Sequence, residues 1–368
     1  MEKVLGKSDL GQGDLGQRDL RPGQAPLLHR TNGRHTQRAI APLPTPTTEK
    51  LDKAHKTADA CRMNTASLQP ILALVLGCAA CGSHAQQVSA LQLPPPGPGA
   101  AEVLEKATNA DWRDLDPKRT LYLELAKGRV ILELAPRFAP VHVANMLALA
   151  EAGFWDATAI VRVQDNYVVQ WGDPSEKKDL GAIDRDPPAE YSVPTAGLPF
   201  TALPDGDVYA PQIGWSEGMP AARDATATQT WLPHCYGMVG VGRDMPPNTG
   251  TGAELYTVIG HAPRHLDRNL AVVGRVVQGM ELLTALPRGT GALGFYQTPA
   301  ERTPILRVRL ASAVPAAERT PLQLLRTDTP TWVAWVNARR HRREPFFVHA
   351  AGRVDVCNVP IPLRTTPK

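Results

Sequence analysis

The sequence predicts a mainly β protein with a small α+β extension at its C-terminal end, and three stretches carry that reading. Residues 121–125 and 129–134 are apolar runs on either side of Lys127-Gly128, the pattern of a hairpin. Residues 160–173, IVRVQDNYVVQWGD, set one arginine among β-branched residues, make a polar turn and resume with Tyr167-Val168-Val169-Gln170. A Gly-rich strand over 237–242 is followed by a turn at Asn248-Thr249 and a strand over 254–259.

Taken in order, residues 1–62 contain no Phe, Trp or Tyr and open on a five-residue repeat, LGKSD-LGQGD-LGQRD. Such a segment cannot bury enough apolar surface to offset its ordering entropy, so a disordered leader is expected. Met63, the apolar run 71–80 and Ser83-His84-Ala85 then have the layout of a secretory signal over 63–85, which makes Met63 the expected true start. Two processing routes stay open, cleavage after Ala85 or lipidation of Cys78 within Val75-Leu76-Gly77-Cys78. Either predicts an exported, periplasmic protein, lipid-anchored in the second case. Ten apolar residues are too few to span a bilayer. Residues 86–118, with Leu93-Pro-Pro-Pro-Gly-Pro-Gly, read as a Pro-rich tether carrying a short helical piece at 101–107.

After the first hairpin, Pro140 starts a helix with Val143, Met146, Leu147 and Ala150 at helical spacing, ending at Gly153. The arginine strand follows. A guanidinium there is costly without a partner, and the returning strand can bring the Gln170 amide beside it. Arginine and glutamine over an apolar floor suit a neutral carbonyl ligand better than a phosphate. Residues 196–231, rich in Pro, Gly and Asp, read as a long loop. Strands over 270–276 and 305–310 flank a helix start at Gly279. The extension, 315–368, is expected to hold a helix from Pro330 to Arg343 and a hairpin formed by 346–349 and 354–357, too small to fold alone and so packed on the preceding domain.

The arginine hairpin resembles the signature of the cyclophilins, the peptidyl-prolyl isomerases, which reads Phe-His-Arg-Ile, a short turn, then Phe-x-x-Gln-Gly-Gly-Asp. Arg162 falls on the family's catalytic arginine, Tyr167 on its pocket phenylalanine, Gln170 on its glutamine and Asp173 on the closing aspartate. Ile160-Val161 replace Phe-His, and Trp171 replaces the first glycine. The resemblance covers about 119–314 and implies a closed eight-stranded antiparallel barrel capped by two helices. It implies a substrate site of Tyr167, Val168, Glu254, Tyr256, His265, Leu266 and Leu270, with Arg162 and Gln170 catalytic. Here His265 takes the place of a loop tryptophan and Leu270 that of a pocket histidine. The 196–231 loop would flank the groove.

Peptide-bond rotation faces a barrier of about 18–20 kcal/mol and needs no nucleophile or metal. It needs an apolar proline pocket and a donor that binds the twisted amide better than the planar one, the role expected of Arg162. The reading is a monomeric peptidyl-prolyl isomerase acting on unfolded or partly folded Pro-containing polypeptides, with no cofactor. The alternative is a non-catalytic barrel that grips Pro-containing segments as a chaperone or binding module.

Other signals carry less. Residues 63–368 hold 29 basic and 29 acidic residues, so the overall formal charge of +4 lies in the leader and gives no case for nucleic-acid binding. Gly237, Gly240 and Gly242 resemble a dinucleotide turn, but Pro246-Pro247 cannot open the helix it requires. His261 and His265 are separated by Pro263, against a helical metal pair. Cys78 and Cys81 lack a second ligand pair for zinc. Cys235 and Cys357 remain, either bridged or as two buried free thiols. The run Arg339–Arg343 reads as a solvated helix end.

Overall fold

The computed structural model describes residues 97–367. The leader, the signal-like segment with Cys78 and the first part of the tether lie outside the described residues. Eight strands close into an antiparallel barrel. Along the chain they are β1 (Thr120–Leu125), β2 (Gly128–Leu134), β3 (Ala159–Val163), β4 (Val168–Gly172), β5 (Met238–Val241), β6 (Leu255–Val258), β7 (Val272–Gln278) and β8 (Thr303–Leu310). Their order around the wall is β5-β6-β4-β3-β8-β1-β2-β7, with β7 pairing back to β5.

Period-two alternation builds the wall. Leu121, Leu123 and Leu125 point into the barrel core, while Tyr122 between them faces out and packs with Ile131 and Leu322. Two helices complete that core. Helix α2 (Pro140–Glu151) contributes Val143, Met146 and Leu149, and α3 (Met280–Thr284) contributes Leu283. The α2 N-terminus has no local side-chain cap. The Glu190 carboxylate instead accepts from the Val141 and His142 amides (2.8 and 3.0 Å), satisfying orphan donors and matching the helix dipole. Gly279 precedes α3 at φ 92°, where a Cβ would come 2.8 Å from the Arg129 carbonyl oxygen.

A second core lies outside the barrel, and it corrects three expectations. Residues 196–231 are not a long loop. They supply four strands of a five-stranded antiparallel sheet, ordered Val193–Pro194, Gln229–Trp231, Met219–Arg223, Gln212–Ser216, Thr201–Ala202. Its polar and glycine residues are turn residues, as at Glu217-Gly218, both at positive φ, and they mask strands only two to five residues long. Residues 100–114 are not extended tether throughout, and the helical piece expected at 101–107 forms. Helix α1 (Ala100–Glu105) buries Ala100 and Val103 in the second core, and strand Trp112–Asp114 buries Trp112 there. The predicted 346–349/354–357 hairpin does not form. Phe346 and Val348 are exposed, Val356–Asn358 is a 3-10 turn, and Leu363–Thr365 is the strand that pairs, against Leu322–Leu325. Pro345 and Pro360, which lack donors, bracket the segment that would have paired.

Helix α4 (Pro330–His341) is capped by Thr329, whose hydroxyl accepts from the Trp332 amide (3.2 Å). Trp332 meets Trp215 of the inserted sheet edge to face at 4.9 Å. The extension therefore packs on the inserted sheet as well as on the barrel wall. Cys235 and Cys357 form a disulfide across a sequence separation of 122. Reducing it is expected to remove about 2–4 kcal/mol of stability. Melts with and without reductant test this, and an unchanged Tm would count against it.

Candidate active site

The site sits on the outer face of β3, β4 and β6. Arg162 pairs with Gln170 across β3 and β4, and a β-bulge between Ile160 and Arg162 shifts the register there. Ile160 and Trp171 point into the barrel, so the extra residue turns the guanidinium to the outer wall. Tyr256 lies opposite Gln170, and Val258 opposite Val168, on that same face. Val168, Tyr256, Val258, Leu266 and Leu270 form one apolar cluster with Tyr167 at its edge. His265 stacks on the Tyr167 ring at 6.4 Å and 3°.

Arg162 is 1% exposed. Its Nε donates to the Leu293 carbonyl (2.7 Å), Nη1 to Gln170 Oε1 (3.2 Å) and Nη2 to Gln164 Oε1. Its Cζ lies 5.7 Å from the Tyr167 ring centroid and 5.2 Å from that of Phe295. These bonds use three of its five N–H donors. Burial lowers its pKa to about 10, an effect that Tyr167 and Glu254 partly offset, so it stays charged at neutral pH. Burial also raises the Tyr167 hydroxyl, against the pull of Arg162.

The structure thus brings Arg162, Gln170, Tyr167, Val168, Tyr256, His265, Leu266 and Leu270 into one patch. Glu254 borders the patch beside Gln170, both lying within 3.5 Å of where a Cβ at Gly242 would stand. It lines a neighbouring cavity of about 430 Å³ with Asp173, Gly242 and Asn248. Asp173 accepts from the amides of Ser175 (3.0 Å), Lys177 (2.8 Å) and Lys178 (2.9 Å). Burial alone would raise its pKa, but these bonds outweigh that and hold it at about 2. A depressed carboxylate stabilises the fold above its unfolded pKa of about 3.9 and loses that contribution as pH falls through the folded value. Protection of the Lys177 and Lys178 amides is therefore expected to persist to about pH 2. A midpoint near 4 would show the bonds to be weak.

Sequence reasoning missed Gln164, Leu293 and Phe295. Gln164 is two residues beyond Arg162, and strand periodicity alone would have placed it on the same face. Leu293 acts through its backbone, which leaves no residue signal. Its loop reaches Arg162 because residue 294 is glycine at φ 79°, where a Cβ would come 2.6 Å from Gln164 Cα. Also missed was His234, beneath Tyr256. Among the described residues, no group of three or more His, Cys, Asp or Glu could hold a metal.

A buried arginine thus lies beside an apolar cluster on the outer wall of a closed barrel. Residues 120–310, just over half of the chain, match the family model for cyclophilin type peptidyl-prolyl cis-trans isomerase/CLD. The chain belongs to that family and is a cyclophilin-type peptidyl-prolyl cis-trans isomerase. A probable peptidyl-prolyl cis-trans isomerase of Brucella suis biovar 1 is 29% identical over 177 residues, 48% of this chain and 76% of its own. Its counterpart in Brucella abortus strain 2308 is 28% identical over the same shares. Among solved structures, cyclophilin AquaCyp293 from Hirschia baltica matches with a TM-score of 0.55 at 22% identity, over 72% of this chain and all of that one, a likeness of fold.

Proposed function

We propose that this isomerase accelerates X-Pro rotation in unfolded or partly folded exported polypeptides, with Arg162 as the group that stabilises the twisted amide. The observation that carries the reading is the buried guanidinium of Arg162, held by Gln164, Gln170 and the Leu293 carbonyl. A charge fixed in low dielectric beside an apolar floor interacts strongly with a carbonyl oxygen that swings toward it, or with the lone pair of a pyramidal prolyl nitrogen. Gln170 orients the guanidinium through its Oε1 and, in this reading, helps place the ligand backbone. In this reading half-buried Tyr167 and exposed His265 border the proline, Val168, Tyr256, Leu266 and Leu270 are the buried apolar layer behind them, and Glu254 adjoins the neighbouring cavity.

Export is supported by the signal-like segment 63–85 and by a disulfide in the folded part, since disulfides persist in oxidising compartments. Sequencing the mature N-terminus from the periplasmic fraction tests it, a start after Ala85 or at a lipidated Cys78 being the expected result. Retention of residues 63–85 would overturn it. For the activity, exchange spectroscopy on an Ala-Pro peptide should show the wild type raising the cis-trans rate above its uncatalysed value. His265 and Leu270, which stand where the family has tryptophan and histidine, favour weaker turnover. Binding without acceleration would make the protein a chaperone for Pro-containing segments instead.

A further inference from the structure

Beneath the apolar patch runs a chain of buried polar groups. Tyr256 is 0% exposed, and its hydroxyl lies 2.8 Å from His234 Nε2. His234, 1% exposed, stacks nearly parallel to the Tyr256 ring at 6.1 Å. Its Nδ1 is 3.0 Å from Asp267 Oδ1, which also accepts from the His234 amide at 2.9 Å. A carboxylate only accepts, so Nδ1 carries a proton, and in the neutral ring Nε2 accepts from the phenol. Burial, with Tyr167 and Asp267 adding to it, pushes the Tyr256 pKa well up, so the phenol keeps the proton it donates. Asp267 Oδ2 takes the Arg264 Nε at 2.6 Å, and Arg264 forks onto Asp207 at 2.8 and 3.1 Å. Asp207 lies in the inserted sheet, in the turn between its strands Thr201–Ala202 and Gln212–Ser216.

Space for the hydroxyl comes from β5. A Cβ at Gly240 would collide with the phenol oxygen, so the Gly240–Tyr256 pair admits an anchored phenol. Residues 264–270, which carry Arg264 and Asp267, also carry the pocket residues His265, Leu266 and Leu270. One network therefore fixes both the floor and one wall of the patch.

We propose that His234 is a positioning residue of the proline pocket. It anchors the Tyr256 hydroxyl and, through Asp267, Arg264 and Asp207, ties the pocket floor to the inserted sheet. The inference rests on the patch being the proline site. Without His234, a buried phenol has no acceptor, and the ring must tilt toward the patch to reach one. That changes the floor on which proline rests.

The test is equilibrium binding of an Ala-Pro tetrapeptide, read by NMR titration of the full chain, with the exchange rate recorded in the same samples. His234→Ala is expected to weaken binding roughly 10-fold, the effect of one unsatisfied buried hydroxyl. Adding Tyr256→Phe to that variant should bring Kd back to within about 3-fold of wild type, because an all-carbon ring needs no acceptor. A role of His234 in stability alone would lower Tm and leave the Kd of the folded His234→Ala variant at the wild-type value. His234→Gln, whose amide offers the phenol a new acceptor, should stay within about 3-fold even if the alanine variant fails to fold. Wild-type binding by folded His234→Ala, or a Gln variant that folds but has lost binding, would overturn the proposal. A wild type that binds without accelerating exchange would overturn the catalytic reading of Arg162 while leaving this comparison intact.

Discussion

Replacing Arg162 with alanine is expected to lower kcat/KM for X-Pro exchange by roughly 10²–10³-fold, the scale of losing one preorganised donor. The loss should fall on kcat with little change in KM, because the interaction strengthens only as the amide twists. Three acceptors would lose the Arg162 donor, the Leu293 carbonyl and the Gln164 and Gln170 amide oxygens. A stability cost of about 1–3 kcal/mol is expected with it, so activity is to be read well below the variant's Tm. Arg162→Lys should recover little, since an ammonium cannot meet three acceptors set around a planar fork. Line-shape or exchange measurements at several peptide concentrations separate kcat from KM. An alanine variant as fast as wild type would remove Arg162 from the mechanism.

The largest stability effect is expected at Glu133, on β2. Its carboxylate is 0% exposed and accepts from Arg113 (2.6 and 3.0 Å) and Arg275 (3.0 Å), with Arg119 at 3.6 Å. Arg113 belongs to strand Trp112–Asp114 and Arg275 to β7, so the acid joins the N-terminal segment to the barrel wall. Glu133→Ala leaves clustered guanidiniums uncompensated, which should cost about 3–5 kcal/mol and lower Tm by on the order of 10 °C. Glu133→Gln should cost nearly as much, as it keeps the shape and removes the charge. A glutamine variant melting with wild type would show that packing, not charge, matters here. Burial works to raise the Glu133 pKa, but Arg275, Arg113 and Arg119 together lower it. Its contribution is therefore complete above about pH 4.3, the unfolded value, and fades as pH falls through the depressed folded one. Acid unfolding should lose its dependence on this group in Glu133→Gln.

Local pattern made the barrel legible. Leu121, Leu123 and Leu125 alternate across a Lys-Gly turn, and Val143, Met146 and Ala150 recur at helical spacing, each read within a dozen residues. Arg162 and Gln170 were legible as a pair because a hairpin brings residues eight apart face to face. What stayed hidden depends on distance along the chain or on the backbone. Trp215 and Trp332 meet through folding, and nothing near either one announces the other. The inserted strands are so short that their turns dominate the composition. The Leu293 carbonyl that orients Arg162 belongs to a backbone any residue could supply. His234 gave no periodic or spacing signal, since its partners come from a strand 22 residues on and a turn 33 residues on.

The disulfide imposes a timetable. Cys235 must wait for a partner 122 residues further along the chain, and at a ribosomal pace of about 5–20 residues per second that wait lasts on the order of ten seconds. Trp215, on the inserted sheet, waits through a similar interval for Trp332. For that time a nascent chain carries an unmated thiol and an uncovered tryptophan face. Its maturation therefore depends on what shields both before the C-terminal end emerges.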